Sequence, residues 1–156
     1  MSTAQVFDGL VHIQLPDGWS LTALDGQPPE QFYCSYDLPD QQGVFALLLQ
    51  PAPGQGPIEL LRFEQSMQAT VTIIHQTTEE LRYRSHRLVP SHTDQNPSIG
   101  RTEHREQISE ELITARFWIG STRTLRASYR VVLDAPAKLI ALLDTTIASV
   151  ELQGEL

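Results

Sequence analysis

Cysteine, lysine and long apolar runs are all scarce in this chain. Of its 156 residues only Cys34 is a cysteine, so no intrachain disulfide braces the fold. Lying between Tyr33 and Tyr36 in a strand-like run, Cys34 reads as a small buried hydrophobe rather than a nucleophile. Lys138 is the only lysine, which leaves almost all positive charge on guanidinium groups, the cations best suited to carboxylates and aromatic faces. With 11 Lys and Arg against 19 Asp and Glu the net charge is -8, a surface that repels phosphate backbones and anionic lipid and speaks against a nucleic-acid partner. No apolar run approaches the roughly 20 residues that cross a bilayer. The start, Met1-Ser2-Thr3-Ala4-Gln5, has neither the basic nor the apolar region of a secretion signal. The expectation is a cytoplasmic protein without stable membrane insertion.

Signatures of chemistry are scarce too. The chain has no Gly-x-Ser-x-Gly elbow, phosphate-cradling glycine loop or dinucleotide fingerprint, and Gly54-Gln55-Gly56 lacks the strand and helix context such loops need. His12, His75, His86, His92 and His104 fall on separate elements with no i, i+4 pair and no cysteine partner, spacing that does not make a zinc site. Glu103-His104-Arg105-Glu106 alternates charge along a strand, which cross-strand ion pairing explains without catalysis. The sequence therefore points to a non-enzyme, with no cofactor and no metal.

What is present is a well-punctuated series of strands and two helices. Val11, Ile13 and Leu15 alternate with His12 and Gln14, and Pro16-Asp17-Gly18 ends that strand in a turn closed by Trp19. Residues 21–30 read as a loop, 32–38 as a strand and Asp40-Gln41-Gln42-Gly43 as a turn. Val44 to Leu49 is apolar on both faces, so this strand is central, with cover on each side or a partly greasy open face. After Pro51-Ala52-Pro53-Gly54-Gln55-Gly56-Pro57, the strongest breaker in the chain, whose Pro57 suits the first turn of a following helix, Leu60, Phe63, Met67, Val71 and Ile74 form the stripe of an amphipathic helix, with Met67 in the core. Glu59 and Glu64 near its start favour the helix dipole. The β-branched run Thr70-Val71-Thr72-Ile73-Ile74 opposes that helix at its end.

Residues 81–89 return to strand alternation, and Pro90 to Ser98 reads as a polar loop. A meander follows: 99–108, a Ser109-Glu110-Glu111 turn, 112–119, a Gly120-Ser121-Thr122 turn, and 125–133. Ile113, Ala115, Phe117 and Ile119 alternate with Thr114, Arg116 and Trp118, while Leu125, Ala127, Tyr129 and Val131 alternate with Thr124, Arg126, Ser128 and Arg130. One face is core and the other carries arginines and an aromatic. Asp134 caps a last helix opening with Pro136, whose buried stripe is Leu139, Leu143, Ile147 and Val150. The expected architecture is one α+β domain over residues 1–156, in the order β-β-β-α-β-β-β-β-α: a single antiparallel sheet with two helices packed on one face.

In that order of elements and in the opening Leu15-Pro16-Asp17-Gly18-Trp19, the chain resembles the PsbP/Mog fold group, whose members often begin with a strand ending in a Pro-x-x-Trp or Pro-x-Gly-Trp turn. Within the group it is most similar to the DcrB-related Eag chaperones of bacterial type VI secretion. The likeness takes in the first strand and its Trp19 turn, the helix at 60–74, the meander at 99–133 and the closing helix to Val150. It implies a non-enzymatic, often homodimeric adaptor whose open sheet face cradles apolar helices of a client effector before secretion. The residues that would line such a cradle are Ala46, Leu48, Arg116, Trp118, Arg126 and Arg130: small and apolar floor, with aromatic and arginine anchors. Against this stands the plainer reading, in which Trp118 packs a dimer contact or a loop and the arginines pair in solvent with Glu103 or Glu106. A different class also suits a small acidic chain: an immunity protein that occludes a toxin's active site, steered by charge toward a basic nuclease.

Overall fold

The computed structural model describes the backbone of residues 1–27, 31–96 and 101–156, and the side chains of residues 1–26, 31–40, 42–87 and 110–156. In chain order the elements are β1 (Ser2–Val6), β2 (Val11–Leu15), β3 (Ser20–Gln27), β4 (Gln31–Asp37), β5 (Gly43–Pro51), α1 (Pro57–Ser66), β6 (Thr70–Gln76), β7 (Glu80–Asn96), β8 (Arg101–Ile119), β9 (Arg123–Val132), α2 (Ala137–Ala148) and β10 (Glu151–Leu152). They form two antiparallel sheets rather than the single one expected: a small sheet ordered β1-β2-β10 and a large one ordered β3-β4-β5-β9-β8-β7-β6. The splitting element is β2, which the sequence pattern marks correctly as one-sided. Its partners are β1 and the short β10, so its apolar side lies on the large sheet as a second layer.

Five segments differ from their sequence reading. Residues 21–27 of the stretch 21–30, read as a loop because of Asp25-Gly26 and Pro28-Pro29, belong to the edge strand β3, which has a register shift between Leu21 and Ala23. The helix expected to reach Ile74 stops at Ser66, and residues 70–76 form β6, because β-branched side chains fit a pleated edge better than a helical turn. Met67 and Phe63 are accordingly exposed, not core. The loop expected from Pro90 continues as β7 to Asn96, with an irregularity between Pro90 and His92 that accommodates the missing proline donor. The turn expected at 109–111 is instead the interior of β8. Finally, α2 starts without a side-chain cap: Pro136 stands at its N-cap and Asp134 does not bond to it. Strands β7 and β8 outrun their neighbours, since β6 pairs no further than His86 and β9 no further than Glu111. Residues 88–96 and 101–108 thus pair only with each other among the described residues.

Strand register decides which side chains share a face. Ile113, Ala115 and Phe117 of β8 lie opposite Arg130, Ser128 and Arg126 of β9, and these in turn lie opposite Val44, Ala46 and Leu48 of β5. This first face carries the smaller core, in which Leu60 of α1 packs with Leu81, Tyr83, Ile113, Ala115 and Phe117. The second face carries Phe45, Leu47, Leu49, Leu125, Ala127, Tyr129 and Val131, packed against Val11 and Ile13 of the small sheet and Leu143 and Ile147 of α2. The two helices therefore lie on opposite faces, correcting the expectation that both pack on one. On β5 residues 45–49 are all buried, so of its two readings the one with cover on each side holds. The Pro16-Asp17-Gly18-Trp19 turn forms as read: Gly18 takes a φ of 86°, and Trp19 packs on Phe45 with ring centroids 5.7 Å apart.

Candidate functional site

The first face holds a buried ionic cluster beneath α1. The helix opens at Pro57, whose fixed φ suits the first turn, and the Gly56 N–H donates to Glu59 Oε2 at 3.0 Å. One turn apart on the inner side stand Leu60 and Glu64, buried at 7% and 1% exposure. Glu64 is thus no dipole partner in solvent but a carboxylate set against the sheet. There it accepts a hydrogen bond from the Tyr83 hydroxyl at 2.7 Å and pairs with Arg130, which also donates to Glu111 Oε1 at 3.2 Å. Burial alone would lower the Arg130 pKa, but Glu64 and Glu111 outweigh it and raise it. The Tyr83 hydroxyl is pushed up, first by burial and then by its bond to Glu64.

Arg126 sits on the same strand face but is served differently. Its Nη1 donates to the Gln55 amide oxygen at 3.3 Å, and its Nε is shielded from solvent with no hydrogen-bond partner among the described residues. Burial pushes its pKa down, and the neighbouring Arg130 pushes the same way. Gln55 reaches it because the loop after β5 folds back on this face, where Gly54 lies so close to Thr124 that a Cβ would stand 2.6 Å from the threonine's own. Between the two arginines is a cavity of about 150 Å³ bordered by Tyr33, Val44, Ala46 and Ser128.

A second polar network ties α2 to the other face. Asp144 accepts from Arg82 Nη2 at 2.5 Å and from the Tyr129 hydroxyl at 2.6 Å, while Arg82 Nε donates to Thr114 Oγ1 at 3.0 Å. Burial, then the bond to Asp144, pushes the Tyr129 hydroxyl up to about 12. A groove of about 280 Å³ opens beside this network, with Arg116, His75 and Glu80 on its wall. Arg116 lies over the Trp118 ring at 4.7 Å, the geometry of a cation–π pair.

Of the six residues expected to line one open face, Ala46, Leu48, Arg126 and Arg130 do share a face, and Arg116 and Trp118 lie on the other. Ala46 and Leu48 are 9% and 7% exposed, so they are not an open floor. Arg130 pairs with Glu64 and Glu111. The side chains of Glu103, Glu106, His92 and His104 lie outside the described residues. The cluster's other members, Glu64, Glu111, Tyr83 and Gln55, were missed. One signal pointed to Glu64: it stands four residues from Leu60, on the helical stripe that must face the sheet. Among the described residues no group of three or more His, Cys, Asp or Glu side chains is placed to hold a metal, and no helix is long and apolar enough to cross a membrane.

Two antiparallel sheets in layers, with one helix on the outer face of the larger sheet and the other packed beside the smaller one, define an α+β domain of PsbP-like fold. The solved structure that carries this assignment is cyanobacterial PsbP (CyanoP) from Synechocystis sp. PCC 6803, to which the chain is similar with a TM-score of 0.54 over 97% of this chain and 91% of that one. Identity is 10%, a likeness of fold alone. A protein of Bacteroides thetaiotaomicron solved by crystallography shares 15% identity at a TM-score of 0.47, covering 94% of this chain and 46% of that one. No protein-family model and no curated protein matches the sequence.

Proposed function

We propose that this chain is a non-enzymatic cytoplasmic adaptor that binds a protein client, and that the client segment is an apolar helix of a type VI secretion effector, as the resemblance to DcrB-related Eag chaperones implies. The observation that carries this reading is a band of exposed large apolar side chains beside the first face. Phe63 and Met67, one turn apart at the end of α1, are 52% and 51% exposed, and Ile73 on β6 is 50% exposed. Ile73 pairs with Tyr83 and so faces the same side of the sheet as α1, which packs on β6. Exposed apolar groups gathered at one place on a monomer mark a partner surface. The cover on both sides of β5 supports a seat on this rim rather than in the middle of the sheet. The resemblance further implies a homodimer.

The test is co-expression with the products of neighbouring genes. Capture of an effector with predicted transmembrane helices, lost in Phe63→Asp and Met67→Asp while both variants still unfold cooperatively, supports the adaptor. Undiminished capture by both variants refutes the rim as the seat. Inhibition of a neighbouring soluble toxin, with no effector captured, replaces the adaptor with the acidic immunity protein that the net charge of -8 also suits.

A further inference from the structure

The cavity beside Arg126 holds an unresolved debt of charge. A guanidinium has five N–H donors, and an arginine removed from water is tolerated when they are matched by acceptors, preferably anionic ones. Among the described residues Arg126 makes one bond, to a neutral amide at 3.3 Å, and its shielded Nε makes none. Glu64, the carboxylate whose charge acts on Arg126, is itself engaged by Arg130 and the Tyr83 hydroxyl. The space beside the guanidinium has a mixed lining. Val44, Ala46, Leu60 and Ile113 are apolar, whereas Ser128 and Tyr33 bring hydroxyl-bearing side chains.

We infer that this cavity is a binding site for a carboxylate on a short aliphatic stem, with Arg126 as its ionic anchor. A planar carboxylate offers the two acceptor oxygens that a guanidinium edge takes in parallel, and the aliphatic stem is the part that the Val44, Ala46, Leu60 and Ile113 side would accept. A spherical or fully hydrated anion would leave that apolar side unused. The inference rests on the cavity and is independent of the apolar rim. The carboxylate has two sources: a free short-chain acid, or an acidic side chain of a bound polypeptide.

The experiment titrates the intact chain by calorimetry at constant ionic strength. The probes are butyrate, butanol, chloride and a blocked acetyl-leucyl-glutamate amide whose only carboxylate is its side chain. Saturable binding of butyrate or of the peptide, with butanol and chloride weaker by about tenfold or more, is the expected result. The stronger of the two carboxylates identifies the source. Arg126→Gln should abolish the preference for carboxylate over butanol, and Ala46→Leu should weaken both by filling the cavity with Arg126 left in place. Should Arg126→Gln fail to fold, Ala46→Leu decides alone. Carboxylates that bind no better than chloride, or that bind the folded variants as well as they bind the wild type, overturn the assignment.

Discussion

Replacing Glu64 by alanine tests whether the ionic cluster fastens α1 to the sheet. Glu64 is 1% exposed and is the acceptor for both Arg130 and the Tyr83 hydroxyl. Truncation leaves the Tyr83 hydroxyl without that acceptor and a largely buried guanidinium with one carboxylate instead of two. Removing one partner of a buried pair costs about 3–5 kcal/mol. Arg130 keeps Glu111 at 3.2 Å, so the lower end applies, about 3 kcal/mol. At about 2–4 °C per kcal/mol for a domain of this size, the midpoint falls by about 6–12 °C. Glu64→Gln keeps the volume and an acceptor for Tyr83 while losing the charge, and should cost about 1–2 kcal/mol. Urea unfolding with an unchanged m-value reads both numbers. In a double-mutant cycle the Glu64→Ala, Arg130→Ala pair should cost less than the two single changes together, because each alone strands the other group. A loss below about 1 kcal/mol for Glu64→Ala, or strict additivity in the cycle, would show that apolar packing of Leu60 holds the helix and the ions do not.

Three further outcomes are expected. Burial pushes the hydroxyls of Tyr36, Tyr83 and Tyr129 up from the usual 10, Tyr129 to about 12. Their neutral forms therefore contribute stability that is complete below pH 10 and drains away as pH rises through the folded values; phenolate absorbance should appear together with loss of structure, and three phenols ionising in the intact fold would contradict this. Cys34 is fully buried and its thiol is pushed up by burial, with the Tyr36 hydrogen bond opposing, so a thiol reagent at neutral pH should react only at the rate of unfolding. Leu143→Ala, at a fully buried position between α2 and the second face, should cost about 2–5 kcal/mol, while Phe63→Asp on the exposed side of α1 should stay within about 0.5 kcal/mol in the same urea assay.

Local signals in the sequence were read well where one residue type decides the backbone. The Pro16-Asp17-Gly18-Trp19 turn, the double-sided β5 and the start of α1 at Pro57 all follow from glycine, proline and unbroken apolarity, which act within a few residues. Errors gathered where two periods overlap. Leu60, Phe63, Met67, Val71 and Ile74 satisfy a helical stripe, yet the five residues 70–74 are all β-branched, and tertiary pairing of β6 with β7 settles the contest. The sharing of faces was illegible for a different reason. Alternation within β8 and within β9 is visible residue by residue, but which alternate set of one lies beside which set of the other depends on register. Pairing Phe117 with Arg126 rather than Trp118 with Arg126 moves two anchors to the far side. Glu64 was hidden because its partners, Tyr83 and Arg130, are 19 and 66 residues away.

Covering both faces of the large sheet changes what its residues can do. With α1 over one side and the small sheet and α2 over the other, the middle strands are core, and a side chain on β5 contributes to folding before it contributes to recognition. Leu48, 7% exposed and opposite Arg126, illustrates the consequence: aspartate there would bury a carboxylate, and lost capture would report lost structure. On the reading proposed above, recognition falls to places where the cover is incomplete. These are the rim where α1 ends and β6 runs as an edge, the groove where Arg116 stacks on Trp118, and the cavity where the Arg126 Nε has no partner among the described residues. They differ in chemistry, apolar, aromatic–cationic and cationic in turn; the rim and the cavity share the first face, and the groove lies on the second. Aspartate at Phe63 should therefore silence the rim and leave carboxylate binding untouched, whereas leucine at Ala46 should do the reverse.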